Sequence, residues 1–184
     1  MFGRHRENVA IVKNGLTLRG VGAVIVPPVT PAAHACFDPT QEGEAVHGIC
    51  VSGDVDLDTG EVSRYVEDVT VRGFTVRDFT GSGINLTAAR DATITGNVAV
   101  HNVESGMAAS AAPGTRMLLK RASGTDRAAF VVFRSPAVSL IGNVAPPGAR
   151  HVQHRGRAHR VGAIGGRGSR PPGRDPRTSR WQLR

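Results

Sequence analysis

The chain has 184 residues, enough for one ordinary domain. Apolar residues at 40% can build a core, which excludes a wholly disordered chain, and 23 glycines without a three-residue period exclude collagen. No apolar run approaches about 18 residues, so no membrane-spanning helix is expected, and the opening MFGRHREN lacks the apolar stretch of a signal peptide.

The formal charge of +8 divides unevenly. Residues 146–184 hold 10 Arg, no Lys and one acid, Asp175, which gives +9. Residues 1–145 keep 13 basic against 14 acidic side chains, which gives −1. The basic character therefore belongs to the tail.

In chain order, the first irregular stretch is 27–64, rich in Pro, Gly and acids and without sustained periodicity. A connection of that length inside one domain is expected to be a functional loop or a lid over the coil. From Val66 onward the sequence repeats. VEDVTVRGFTVRDFTGSGINL, RDATITGNVAVHNVESGMAA and PGTRMLLKRASGTDRAAFVV superpose without gaps at a shift of 23 residues. Val71, Ile94, Met117 and Leu140 share a column, as do Gly73, Gly96, Leu119 and Gly142. Ile84, Met107 and Phe130 share another, followed by Leu86, Ala109 and Val132.

Within each repeat the apolar residues alternate with period two, the mark of short strands with one buried face. Gly, Asn and Asp separate these strands and supply turn conformations. Short strands of one phase, repeating every 23 residues, predict a coil stacked on itself. Each turn then pairs with the next at roughly 4.8 Å.

The columns run through Ala145 and then fail. The next coil should place apolar residues where Gln153 and Arg155 stand. The tail 146–184 is expected to be disordered, being Arg-, Gly- and Pro-rich. Two readings of it stay open: a basic arm that neutralises nucleic-acid phosphates, or the product of a frame change, under which polyanion affinity is incidental.

These columns, with RENVAIVKNGLTLRGVG (6–22) before them, resemble the right-handed parallel β-helix repeat family of pectate-lyase-like proteins, bacterial secreted type, shortened at both ends. The resemblance implies an all-β fold, a short right-handed parallel β-helix of about five coils over residues 1–145. It also implies an extracellular or cell-surface setting and a polysaccharide partner. Because the fold hosts lyases, hydrolases, epimerases and plain binding proteins, it leaves catalysis open.

Asp78 and His101 lie 23 residues apart and are expected on neighbouring coils, where an Asp can orient a His for acid/base work. Gly124 follows in their column and is expected to leave space beside them. The competing reading is a polar turn column facing water. Asp54, Asp56 and Asp58, ahead of Gly60 and Glu61, make an alternating carboxylate run of the kind that suits Ca²⁺. The EF-hand spacing is not met, and on a strand the same acids would share one solvated face. Asn97 and Asn143 share a column and are expected to bond neighbouring backbone.

Arg72, Arg77 and Arg90 read as solvated outer-face residues, and their spacings of 5 and 13 do not form a stripe. Cys36 and Cys50 enclose one short loop. The secreted relatives imply a disulfide, worth about 3 kcal/mol by loop entropy, against two free thiols. Zinc held with His34 and His47 is a further reading, although H-x-C…H-x-x-C is not a standard spacing.

Overall fold

The computed structural model describes residues 1–33, 36, 45–56, 59–118, 121–124, 128–145, 151–154 and 160–161. Among them there is no helix, and the chain winds as a parallel β-helix. Sheet A takes one side of each coil: Gly3–Arg6, Thr17–Val26, Thr70–Arg77, the split strands Thr93–Thr95 with Val98–Val100 and Arg116–Leu118 with Arg121–Ser123, then Ser139–Ile141 and Arg160–Val161. Sheet B takes another: Val9–Ile11, Ile49–Ser52, Ile84–Thr87, Ser105–Ser110, Ala128–Phe133 and His151–His154. A small sheet C pairs Val66–Glu67 with Ala89–Arg90.

The ladders run at the period read from the sequence. Val71 pairs with Ile94, Ile94 with Met117, and Met117 with Leu140. All four are buried, as are Ile84, Leu86, Met107, Ala109, Phe130 and Val132 from sheet B. Together they form one core along the axis. The sheets approach closely where sheet B begins. A Cβ on Gly83 would run into Ala99 Cβ and the Gly106 carbonyl, so only glycine fits there without displacing a neighbour.

Each coil turns at corners with left-handed backbone, and those corners stack. Asp68, Asp91, Gly114 and Ala137 all have positive φ, as do Gly73, Gly96 and Gly142, then Asp78, His101 and Gly124, then Ala88, Ala111 and Arg134. The side chain just past several corners turns inward and ties two coils together. Asn97 Oδ1 accepts from Phe74 N–H (3.0 Å) while Asn97 Nδ2 donates to the Val71 carbonyl (3.0 Å). Asn102 repeats this with Phe79 N–H and the Val76 carbonyl, both at 3.1 Å. Asn143 Nδ2 donates to Met117 O, and Ser135 accepts from Ala112 N–H. Each amide satisfies backbone groups that the turn removes from the ladders.

Two expectations are corrected. The stretch 27–64 is not one insertion, because Ile49–Ser52 inside it is a strand of sheet B. Ile49 pairs with Val9 on one side and Ile84 on the other, and Ile49, Cys50 and Val51 are buried. Among the described residues, what leaves the coil is an excursion seen at 27–33, Cys36 and 45–48, and an antiparallel hairpin, Asp54–Val55 with Val62–Arg64. The hairpin sets Ile49 35 residues from Ile84, twelve more than the repeat, and so hid the column.

The coil also does not stop at Ala145. His151–His154 pairs with Ala128–Phe133, and Arg160–Val161 pairs with Ser139–Ile141. The offset there is 21 residues, as between Phe130 and His151. Apolar columns at 23 could not reveal this. A parallel ladder is made by backbone groups, and any extended segment without proline supplies them. The remainder of 146–184, on which both readings of the tail turn, lies outside the described residues, as do His34 and Asp58.

Candidate functional site

Both excursions open at the ends of sheet B. The 27–48 segment leaves between Thr17–Val26 and Ile49–Ser52, and the hairpin leaves directly after Ile49–Ser52. Between them lies the outer face of sheet B. Its outward columns are Asn85, Ala108 and Val131, then Thr87, Ser110 and Phe133. These side chains are small and half-buried, except Phe133, which is 40% exposed. Cys50 precedes Asn85 in the first column and is covered, because a disulfide joins it to Cys36 with the Cα atoms 5.4 Å apart. The thiols are thus paired, and the excursion is fastened to the sheet.

Hydrogen bonds and one half-buried histidine hold the first rim. Val46 N–H donates to Thr80 Oγ1 (2.9 Å) and Gly81 N–H donates to the Val46 carbonyl (2.9 Å). Ser82 N–H donates to His47 Nδ1 (2.8 Å), so the neutral ring carries its proton on Nε2. Burial holds the His47 pKa below the ordinary histidine value, and Glu104, with Oε2 4.0 Å from Nδ1, pulls it back only in part. Beneath, the Ser82 and Ser105 hydroxyls share a 2.8 Å hydrogen bond on neighbouring coils.

The hairpin forms the second rim. Its turn is closed by Asp56, whose Oδ1 accepts from Thr59 N–H (2.8 Å) and whose carbonyl accepts from Gly60 N–H (2.8 Å). The tip reaches down the coils, for the Arg134 guanidinium packs against Gly60. The same guanidinium lies 5.2 Å from the Phe133 ring centroid. The face is thus a floor of small side chains with one aromatic ring, bounded by polar groups on both sides.

Asp78 and His101 stand on neighbouring coils, as their spacing predicts, with His101 Nδ1 3.8 Å from Asp78 Oδ1. Both are exposed, at 68% for the imidazole and 45% for the carboxylate. Asp78 also faces Arg77 Nε at 3.6 Å. Gly124 does not leave open space. The imidazole lies over it, where a Cβ would collide with the ring. All three residues occupy a left-handed corner, where a short polar side chain or glycine is the low-cost choice. That corner adjoins the end of sheet A, on the far side of the turn from His47.

Two acids of the carboxylate run, Asp54 and Asp56, have partners inside the hairpin. Asp54 gives both oxygens to Arg64, at 2.7 and 2.9 Å. Those hydrogen bonds hold its pKa below the ordinary carboxylate value. Asp56 is committed to the turn, and the described residues contain no group of three ligands placed to hold a metal. Asp54 and Asp56 are thus each engaged within the hairpin, and Asp58, the third acid of the run, lies outside the described residues. Asn102 and Ser82 were not singled out in the sequence, and His47 was read only as a zinc ligand beside two cysteines that the structure pairs with each other. For Asn102 the signal was its place just past a turn residue, the same place as Asn97 and Asn143.

No family model and no curated protein matches the chain. Two solved structures share the fold. One is the catalytic domain of a GH87 alpha-1,3-glucanase variant in complex with tetrasaccharides, with a TM-score of 0.60 and 14% identity over 90% of this chain. The other is the catalytic domain of a GH87 alpha-1,3-glucanase variant in complex with nigerose, with a TM-score of 0.55 and 15% identity over 89% of this chain. The chain spans 34% and 33% of those two domains. At this identity the likeness establishes the parallel β-helix fold.

Proposed function

We propose that the chain is a carbohydrate-binding parallel β-helix unit that takes an oligosaccharide along the outer face of sheet B, between the disulfide-fastened excursion and the hairpin. The observation that carries the reading is the fold shared over nine-tenths of the chain with domains that hold tetrasaccharides and nigerose. The face supports it in chemical terms. Phe133 offers an exposed ring on which a sugar can stack, and Asn85, Thr87 and Ser110 offer amide and hydroxyl groups beside it. The disulfide favours an oxidising, extracellular setting.

The test is calorimetric titration of the full chain with nigero-oligosaccharides and with soluble alpha-1,3-glucan. Binding should weaken about tenfold in Phe133→Ala, the loss of one stacking contact. No binding to either sugar, or equal binding by the variant, overturns the reading.

A second reading, hydrolysis, draws on the Asp78–His101 pair at 3.8 Å. In it Asp78 orients His101, which moves a proton. Release of reducing ends from alpha-1,3-glucan, lost in His101→Ala, supports that role. Retained activity in His101→Ala ends it.

A further inference from the structure

Residues 1–145 are close to neutral overall, but their charges are segregated. The strands of sheet A contain no Asp or Glu. Their outward positions carry Arg4, Arg6, Arg19, Arg72, Arg77, Arg116 and Arg121. The register fixes this, because each alternates with inward partners such as Ile25, Val71, Val76 and Met117. All but Arg77 are exposed. Only Arg77 has an acid within ion-pair distance among the described residues, and that is Asp78 at the corner. Apart from Glu7, which follows the first strand and lies 3.6 Å from His5, and Asp78 at the corner, the acids of the described residues sit elsewhere: Asp54, Asp56 and Glu61 on the hairpin, Glu67, Asp68 and Asp91 around sheet C, and Glu104 beside His47.

Two of the arginines also stack. Arg19 pairs with Arg72 in the ladder, one coil apart. The sequence spacing concealed this, because the excursion and the hairpin lie between them and set their offset at 53 residues. Like charges directly opposite on a sheet destabilise it, so the fold alone gives no reason to gather them.

We propose that the outer face of sheet A is a second binding surface, one for an acidic polysaccharide bearing carboxylates or sulfate esters. The choice of a glycan over other polyanions rests on the carbohydrate reading above, and the make-up of the face agrees with it. Thr17, Thr70, Thr93 and Ser139 line up near the arginines and offer hydroxyl partners for sugar hydroxyls. No strand of the sheet turns a Phe, Tyr or Trp ring outward, Phe74 being buried and the exposed Phe2 standing just ahead of the first strand, so bases would find no continuous stacking platform along it. Coils recur at roughly 4.8 Å, a spacing of the same order as one sugar in an extended chain. Guanidinium groups engage carboxylate and sulfate oxygens through paired N–H donors.

The test uses the full chain with polygalacturonate, dextran sulfate, neutral dextran and a single-stranded DNA oligonucleotide as probes. The sheet variant combines Arg19→Gln, Arg72→Gln, Arg116→Gln and Arg121→Gln. A matched control neutralises four tail arginines: Arg174→Gln, Arg177→Gln, Arg180→Gln and Arg184→Gln. The sheet variant should bind polygalacturonate or dextran sulfate at least about tenfold more weakly, with a flatter salt dependence, while the tail control changes far less. Its melting temperature should not fall, since like charges are removed. If it fails to fold, the corresponding four Arg→Lys changes keep the charge without the guanidinium fork, and intermediate affinity is expected.

Loss of binding in the tail control with none in the sheet variant overturns the proposal. So does DNA outcompeting both acidic glycans on the unmodified chain. Nigero-oligosaccharide binding, measured in parallel, reports on sheet B separately. Its absence counts against the carbohydrate reading and not against the sheet A surface.

Discussion

Asn102 offers the sharpest test of how the coils are held. Its side chain is fully buried, accepts from Phe79 N–H and donates to the Val76 carbonyl, each at 3.1 Å. Asn102→Ala removes both partners at once and leaves one buried donor and one buried acceptor unpaired. Each such group costs about 1–3 kcal/mol. Partial relaxation toward water at the turn brings the sum to about 2–4 kcal/mol. Asn102→Asp should be at least as damaging at neutral pH. It still accepts from Phe79 N–H but sets a buried negative charge against the Val76 carbonyl. Urea unfolding gives the total, provided the slope of the transition is unchanged. Amide exchange locates it, with Phe79 N–H losing protection before amides two coils away. Asn85→Ala is the control, because Asn85 is half-exposed and donates only a long 3.4 Å bond to Thr87 Oγ1. A loss below about 0.5 kcal/mol in Asn102→Ala, with Phe79 still protected, would refute the ladder as a source of stability.

Three further outcomes are expected. Ile94→Ala should cost about 2–5 kcal/mol, and Ile94→Asp should unfold the adjoining coils, because Ile94 is fully buried between Val71 and Met117; an unchanged urea midpoint would contradict the stacking. Replacing Cys36 and Cys50 by Ala should lower stability by up to about 3 kcal/mol and speed proteolysis within 27–48, whereas identical cleavage patterns would show that the disulfide does not fasten that segment. His47 binds its proton more weakly when folded than when unfolded, so the stability it contributes is present above the ordinary histidine pKa and is lost as pH falls below about 6.5. In His47→Gln the decline of the urea midpoint below that pH should flatten; a parallel decline in both proteins would remove His47 as its cause.

The stacked core was legible in the sequence because three uninterrupted repeats keep Val71, Ile94 and Met117 in one column. Where the period broke, legibility broke with it. Ile49, Cys50 and Val51 follow Gly48 just as Ile84, Asn85 and Leu86 follow Gly83, but the intervening hairpin shifted the alignment. Arg19 and Arg72 were lost to the same cause. Asp78 and His101 were placed correctly on neighbouring coils, but spacing cannot report that the imidazole lies over Gly124. Nor can it report that Asp54 is held by Arg64, since that pairing depends on the hairpin register. His47 and Ser82 meet across 35 residues, an offset that no periodic pattern in the sequence marks.

The two excursions have a consequence for how such a chain can change. Twelve residues enter after Ile49–Ser52, yet Ile49 still faces Ile84 and Ser52 still faces Thr87, residue for residue. The coil tolerates length at its corners because the ladders on either side are set by backbone register, which a detour does not alter. Closing a longer detour costs little, since loop entropy grows only with the logarithm of length. Specificity in this architecture can therefore drift in the rims while the floor stays fixed. A rim moved from one coil to the next, as by transplanting the hairpin to follow Thr87, would carry its contacts one step along the axis without asking the core to repack.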